Sequence, residues 1–372
     1  MSSPEALVRI RNLVEGTLYR LCIKKICFTQ DAEQVHNFFV KTGAQISTSS
    51  LLRKLTSAAF SFHHPALEQT LCRIHFTNPV GLSAGFDKNA ELLHILPKFG
   101  FGFAEVGSIT ALPCAGNSGK RLARLPKQKS LWVNLGLNNQ GAKAIAQRLK
   151  KYSFDMPFGI SIAKTNCKET CNTEVGINDY LTSLRCFSRN NIGNYYTLNI
   201  SCPNAYGGQP FHEPNLYEQL LKKVSKMKIK KPIFVKLSPD IKKSRINKII
   251  AISKKYGIAG FICTNLTKKH NGKKGGISGK AVEKRANELL AYLANKTKGK
   301  YILVGAGGIF SAEDAYKKIK LGAHLVQLIT GMIYQGPQLI SEINESLVRL
   351  LQKDGYSSIS QAVGTETYNK KD

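Results

Sequence analysis

The stretch Leu198-Asn199-Ile200-Ser201-Cys202-Pro203-Asn204-Ala205-Tyr206-Gly207-Gly208 puts one thiol between two carboxamides at the end of an apolar run. A thiol with an ordinary pKa of about 8.5 is a workable general base near neutral pH. Cys202 is therefore either a proton acceptor or a small buried residue at a strand end, the usual role of a free cysteine. Asn134 and Asn265 also close apolar runs, and with Asn199 and Asn204 they make a set of four. Each asparagine offers an acceptor and two donors, so such a ring can grip an imide or a carboxylate in one orientation.

Three other groups carry chemistry. Lys236 interrupts the apolar run Phe234-Val235-Lys236-Leu237, where it either faces inward or snorkels outward. Lys88 follows Ser83-Ala84-Gly85-Phe86-Asp87, small residues past which a flat ring can approach the backbone, and it could face a substrate carboxylate. Gly305-Ala306-Gly307-Gly308 and Thr330-Gly331 each lead into a helical pattern, as a phosphate-binding turn does. With such a phosphate cup, Lys236 is better read as an inward lysine over a flavin.

The elements that must hold these residues are legible from residue 73 onward. Short apolar runs at 79–85, 101–110, 157–163, 195–201, 232–238, 257–265, 301–308 and 323–331 alternate with amphipathic segments such as Asn89–Gly100, Asn215–Met227 and Ser311–Gly322. Eight near-continuous apolar strands, each followed by a helix, describe a parallel (β/α)8 TIM barrel better than an open sheet. In that architecture chemistry gathers at the C-terminal strand ends, where the residues above fall.

Residues 1–62 differ and form an N-terminal amphipathic helical extension to a catalytic domain at 63–372. Leu7, Ile10, Leu13, Val14, Leu18, Leu21 and Ile23 follow a helical stripe, a second helix begins near Asp31, and a third covers Leu51–Phe60. These segments could lie on a membrane surface or pack as a cap on the main domain.

The chain carries 54 Lys and Arg against 24 Asp and Glu, a net charge of +30, which favours anionic partners unless it reflects a compositional bias of the source. The nine cysteines form no CxxC pair and no secretory signal is present, which favours reduced thiols; no metal site is expected at Cys167 and Cys171. No run approaches the roughly 18 apolar residues of a membrane span.

The motifs at 78–91, 100–110, 124–128, 199–204, 235–240, 275–280 and 303–331 together resemble dihydroorotate dehydrogenase, in that family's order over about residues 65–365. The resemblance implies an FMN enzyme that oxidises dihydroorotate to orotate in pyrimidine synthesis. It implies Cys202 as the base, with Lys88, Asn134, Asn199, Asn204 and Asn265 on the substrate. FMN would be held by Ala84, Gly85, Ser108, Lys236, Ser278, Gly279, Gly307, Gly308, Thr330 and Gly331. The N-terminal helices, His64–Glu68 and Gly355–Gly364 resemble the membrane-associated, quinone-using class 2 enzymes, in which His36 and Arg124 match residues lining the quinone tunnel. Cys202 itself is class 1-like, where class 2 enzymes carry serine, so fumarate or an NAD-linked partner subunit is the alternative acceptor. Ser161, Leu266 and Ile329 also depart from the family pattern. A peripheral protein on an anionic membrane surface, at the cytoplasmic face of a bacterial inner membrane, is expected. A tRNA-directed flavin barrel is not: only about 40 residues follow the last strand, too few for an RNA-binding domain, so no nucleic-acid partner is expected.

Overall fold

The computed structural model describes residues 3–202, 204–208, 210–270 and 274–368. Pro203, expected to help close a loop over the substrate, lies outside them. Eight strands close into a parallel barrel in chain order: β1 Val80–Leu82, β2 Phe103–Ile109, β3 Phe158–Ile162, β4 Tyr195–Asn199, β5 Ile233–Leu237, β6 Gly260–Cys263, β7 Ile302–Ala306 and β8 Leu325–Leu328. All eight lie within the apolar runs of the sequence. β8 closes the ring on β1 with Leu328 opposite Leu82. Strands buried on both faces read as near-continuous apolar runs, and every residue of β2 is buried, Glu105 included.

Large and small residues alternate across the inner wall. A Cβ at Gly159 would sit 2.1 Å from the Tyr195 ring, and one at Gly81 would strike Phe103. Tyr195 meets Phe234, and Phe103 meets Phe76 of a short antiparallel pair, Gln69–Leu71 and Ile74–Phe76, at the N-terminal end of the barrel. A second antiparallel sheet joins Leu122–Leu125, Ser130–Val133 and Gly276–Gly279, reaching over the opposite end from the segments after β2 and β6.

One expected helix is missing. Asn89–Gly100 forms turns and a 3-10 stretch, Leu96–Phe99. The Asp87 carboxylate takes the backbone N–H groups of Glu91 and Leu92, Ala90 holds a left-handed φ of 58°, and Pro97 has no N–H to give a helix. The layer a helix would have filled is supplied by the N-terminal extension, which packs onto Leu96–Phe99.

The extension consists of α1 Ser3–Leu18, continued by a π-helical turn Tyr19–Ile23, then α2 Lys24–Thr29, α3 Ala32–Thr48 and α4 Ser50–Phe60. Asp31 caps α3 by accepting from the Glu33 and Gln34 N–H groups, and Ser49 caps α4. α1 docks through its polar face. Arg11 donates to the Ala58 and Ser61 carbonyls and to Ser341 Oγ at 2.6 Å, and Arg9 pairs with Glu345. Its apolar stripe faces outward: Leu7, Ile10, Leu13, Val14 and Leu18 are all more than half exposed.

Candidate active site

One cavity of about 530 Å³ opens at the C-terminal ends of the strands and continues outward beneath the N-terminal helices. Its inner wall is polar. Lys236 on β5 faces inward at 3% exposure, which settles the two readings of that lysine. Its Nζ lies 3.3 Å from Ser83 Oγ and 3.9 Å from Glu105 Oε1 on β2. The other Glu105 oxygen accepts from Thr197 Oγ1 and, at 3.4 Å, from Gln327 Nε2. Burial pushes the Glu105 carboxyl up and the Lys236 ammonium down, and each partner opposes the shift of the other.

Beside this pair the asparagines converge. Asn199 Nδ2 donates to Ser108 Oγ at 2.7 Å, and Asn265 Nδ2 donates to Ser201 Oγ at 3.0 Å and Asn199 Oδ1 at 3.3 Å. Asn204 Nδ2 reaches the Val133 carbonyl, leaving its buried Oδ1 without a hydrogen bond among the described residues. Asn134 stands apart: it is not on the cavity wall and its Oδ1 accepts from Asn117 Nδ2, while Asn138 of the same loop does line the cavity. Of the departures, Ser161 is buried and shares a 2.7 Å hydrogen bond with Ser108, and Leu266 and Ile329 add apolar surface to the wall.

Cys202 lines the cavity beside Asn199 and Asn204. Burial raises its thiol pKa, opposed by the Asn204 and Ala205 N–H groups and by the charges of Lys164 and Lys268. The raised pKa qualifies the view of this thiol as an easy base: it titrates above an ordinary cysteine. Lys164, not foreseen from the sequence, donates to the Tyr206 carbonyl at 2.6 Å and so ties β3 to the segment after Cys202.

A third wall is glycine-rich. Gly279, Gly307, Gly308 and Gly331 line it with Ser278 and Thr330, whose hydroxyls are 2.8 Å apart; Ala84 and Gly85 face the same space. A Cβ at Gly331 would lie 1.9 Å from the Ile309 carbonyl oxygen, and Gly307 and Gly308 hold φ of +93° and +81°. Side chains would both strain this backbone and fill the cradle.

The outer half is apolar, with Phe28, Val35, Phe39, Phe86, Phe99 and Ile333 among its walls. Arg124 stacks its guanidinium 4.8 Å from the Phe28 ring centre and donates to the Gln30 carbonyl. His36 on α3 meets Phe86 edge-on at 4.9 Å, and its Nε2 lies 3.0 Å from Lys88 Nζ. The sequence assigned these two residues to different ligands, and the fold brings them into contact.

A parallel barrel whose strand ends carry an inward lysine, a glycine cradle and a thiol among asparagines defines the class, a flavin-dependent barrel oxidoreductase. Residues 66–351 match the family described as dihydroorotate dehydrogenase, and the chain belongs to that family. It is 36% identical to the dihydroorotate dehydrogenase (quinone) of Trichodesmium erythraeum over 93% of this chain and 98% of that protein. It is equally 36% identical to the enzyme of the same name from Helicobacter acinonychis, over 94% and 99%. A ligand-free DHODH from Eimeria tenella superposes with a TM-score of 0.76 at 25% identity, over 88% of this chain and 99% of that one.

Proposed function

We infer that this chain oxidises dihydroorotate to orotate for pyrimidine synthesis, with FMN as the hydride acceptor and a membrane quinone as the final electron acceptor. The observation that carries the reading is the continuity of one cavity from a polar inner wall at Cys202, Asn199 and Asn265 to an apolar outer half under α2 and α3. The donor set fits a flavin mononucleotide: the glycine cradle with Ser278 and Thr330 suits a phosphate, and Lys236 suits the electron-rich edge of the ring. When bound, the flavin supplies two-electron transfer between the two substrates.

The chain's own residues do the rest. Asn199, Asn204 and Asn265 hold the substrate ring, Lys88 faces its carboxylate, and Asn134 supports the site through Asn117. Cys202 takes the proton from C5 while a hydride leaves C6. The Lys164 charge, which favours the thiolate, offsets part of the burial penalty. Ala84, Gly85 and Ser108 would border the flavin ring, while His36 and Arg124 would flank the quinone's path.

Among the described residues no helix is long and apolar enough to cross a membrane. The outward stripe of α1 supports peripheral association with an anionic membrane surface, and the proposal includes the cytoplasmic face of a bacterial inner membrane as its site. Steady-state assays with dihydroorotate test the acceptor: decylubiquinone or menadione should be reduced, and fumarate and NAD should not. Turnover with fumarate or NAD and none with quinones would replace this reading by the class 1-like one.

A further inference from the structure

We propose that His36 and Lys88 form the proton-donating couple for the quinone half of the reaction, His36 passing a proton to the acceptor oxygen and Lys88 replenishing it. The proposal rests on the quinone reading above. An ammonium has donors and no acceptor, so at 3.0 Å Lys88 Nζ donates and His36 Nε2 accepts. The imidazole must then carry its own proton on Nδ1. Burial and the Lys88 charge hold His36 neutral, with its pKa driven down to about 3. A neutral ring that accepts on one nitrogen and donates from the other is a relay rather than a proton store.

Lys88 is the store. Burial lowers its pKa to about 8, close to working pH, so it can release a proton and regain one. The groups facing it are Glu33, Asp87 and Glu91, which favour the ammonium, and Arg121, which opposes it. Glu33 and Arg121 pair at 2.8 Å and are about one-fifth exposed, so the couple borders water through them. Three other polar groups on the cavity wall serve poorly. The Tyr19 hydroxyl donates to the Ile333 carbonyl, the Arg124 guanidinium does not deprotonate, and Lys236 is buried against Glu105.

The proton count closes. A hydride equivalent from C6 of dihydroorotate brings two electrons and one proton, and quinol formation needs one proton more. As the new quinol O–H forms, the His36 Nδ1–H bond breaks, Nε2–H forms and a Lys88 N–H bond breaks. Solvent then reprotonates the Lys88 amine, and exchange with water after quinol departure returns the ring to its Nδ1–H form. The proton removed from C5 leaves to solvent and balances the one taken up.

The test follows reoxidation of holoenzyme pre-reduced with dihydroorotate, in stopped flow, by decylubiquinone and by ferricyanide, which takes electrons and no proton. His36→Gln keeps an acceptor for Lys88 and a donor for the quinone but cannot relay. Its ratio of limiting rates, quinone to ferricyanide, should fall on the order of 10²-fold with little change in quinone KM. The wild-type quinone rate should decline as pH rises through about 8, where the Lys88 ammonium is lost, and the variant should not share that inflection. Nitrogen-15 NMR should show His36 neutral and protonated on Nδ1 from pH 5 to 8. An unchanged rate ratio, a change confined to KM, or a proton on Nε2 overturns the couple alone. A wild-type enzyme indifferent to quinone overturns the couple and the quinone reading together.

Discussion

At the scale of single residues, Cys202 carries the sharpest consequence. Its thiol is pushed above the ordinary range by burial, so flavin reduction by dihydroorotate should accelerate with pH until that raised pKa is passed. Cys202→Ala should lower the reduction rate by about 10²–10⁴-fold while FMN stays bound, read by single-turnover bleaching of the flavin. Cys202→Ser should retain part of the rate with its basic limb moved to higher pH, because a hydroxyl is far less acidic than a thiol. Near-normal kinetics in the alanine variant would remove Cys202 from the mechanism. The same scale marks what the sequence hid. Lys236 declared itself as a charge inside an apolar strand, and Glu105 in Phe103-Ala104-Glu105-Val106 carries the identical signal on a strand three places away in the ring. Read together, the two anomalies name each other as partners; read singly, only the lysine stood out.

At the scale of elements, the barrel strands were legible because burial on both faces keeps them largely apolar, with Glu105 and Lys236 as isolated charged interruptions. Leu122–Leu125 and Ser130–Val133 were not, since both are short, the first is only half-buried, and the second is paired to Gly276–Gly279, more than a hundred residues away. Asn89–Gly100 was misread for the opposite reason: its apolar spacing is helical, but Ala90 takes a left-handed φ of 58° at its start and Pro97 has no N–H to give. The contact of α3 with the segment after β1 had no local signal at all, because His36 and Lys88 meet only through tertiary packing. The junction of β8 with the helix Thr330–Gln335 is the element most exposed to a single change. In Gly331→Ala the new methyl would meet the Ile309 carbonyl, which is backbone and cannot rotate away. The two segments must part, and the cradle between them with them. The purified variant should carry substoichiometric FMN, measured as the ratio of flavin to protein absorbance, and should regain activity in excess FMN. Full flavin content without supplementation would show that this wall does not bind it.

At the scale of the whole molecule, the unusual feature is a helix docked by its polar face. α1 spends Arg9 and Arg11 on the barrel and leaves Leu7, Ile10, Leu13, Val14 and Leu18 outside, with Leu21 and Ile26 continuing the stripe and Phe38, Leu51 and Leu55 exposed on α3 and α4. Exposed apolar side chains at this density are costly in water, since burying each contributes about 1.5–3 kcal/mol. Lys25, Lys41 and Lys54 stand exposed on the same helices, and the chain as a whole is strongly cationic. An apolar face fringed by lysine suits the interface of an anionic bilayer, where each cation near the surface adds about 1 kcal/mol. The outer half of the cavity lies beneath these helices, so docking would also deliver a lipid-soluble acceptor to His36 and Arg124. Ile10→Glu combined with Leu13→Glu changes side chains that are more than half exposed, so the fold and the inner site should persist. The double variant should stop co-sedimenting with vesicles containing phosphatidylglycerol, while reducing the short-chain decylubiquinone in solution at the wild-type rate. Its turnover with a long-chain quinone embedded in those vesicles should fall by an order of magnitude or more. Unaltered vesicle binding would mean that α1 is not the docking face, and a parallel loss with the soluble quinone would mean that the stripe serves the site itself rather than the membrane.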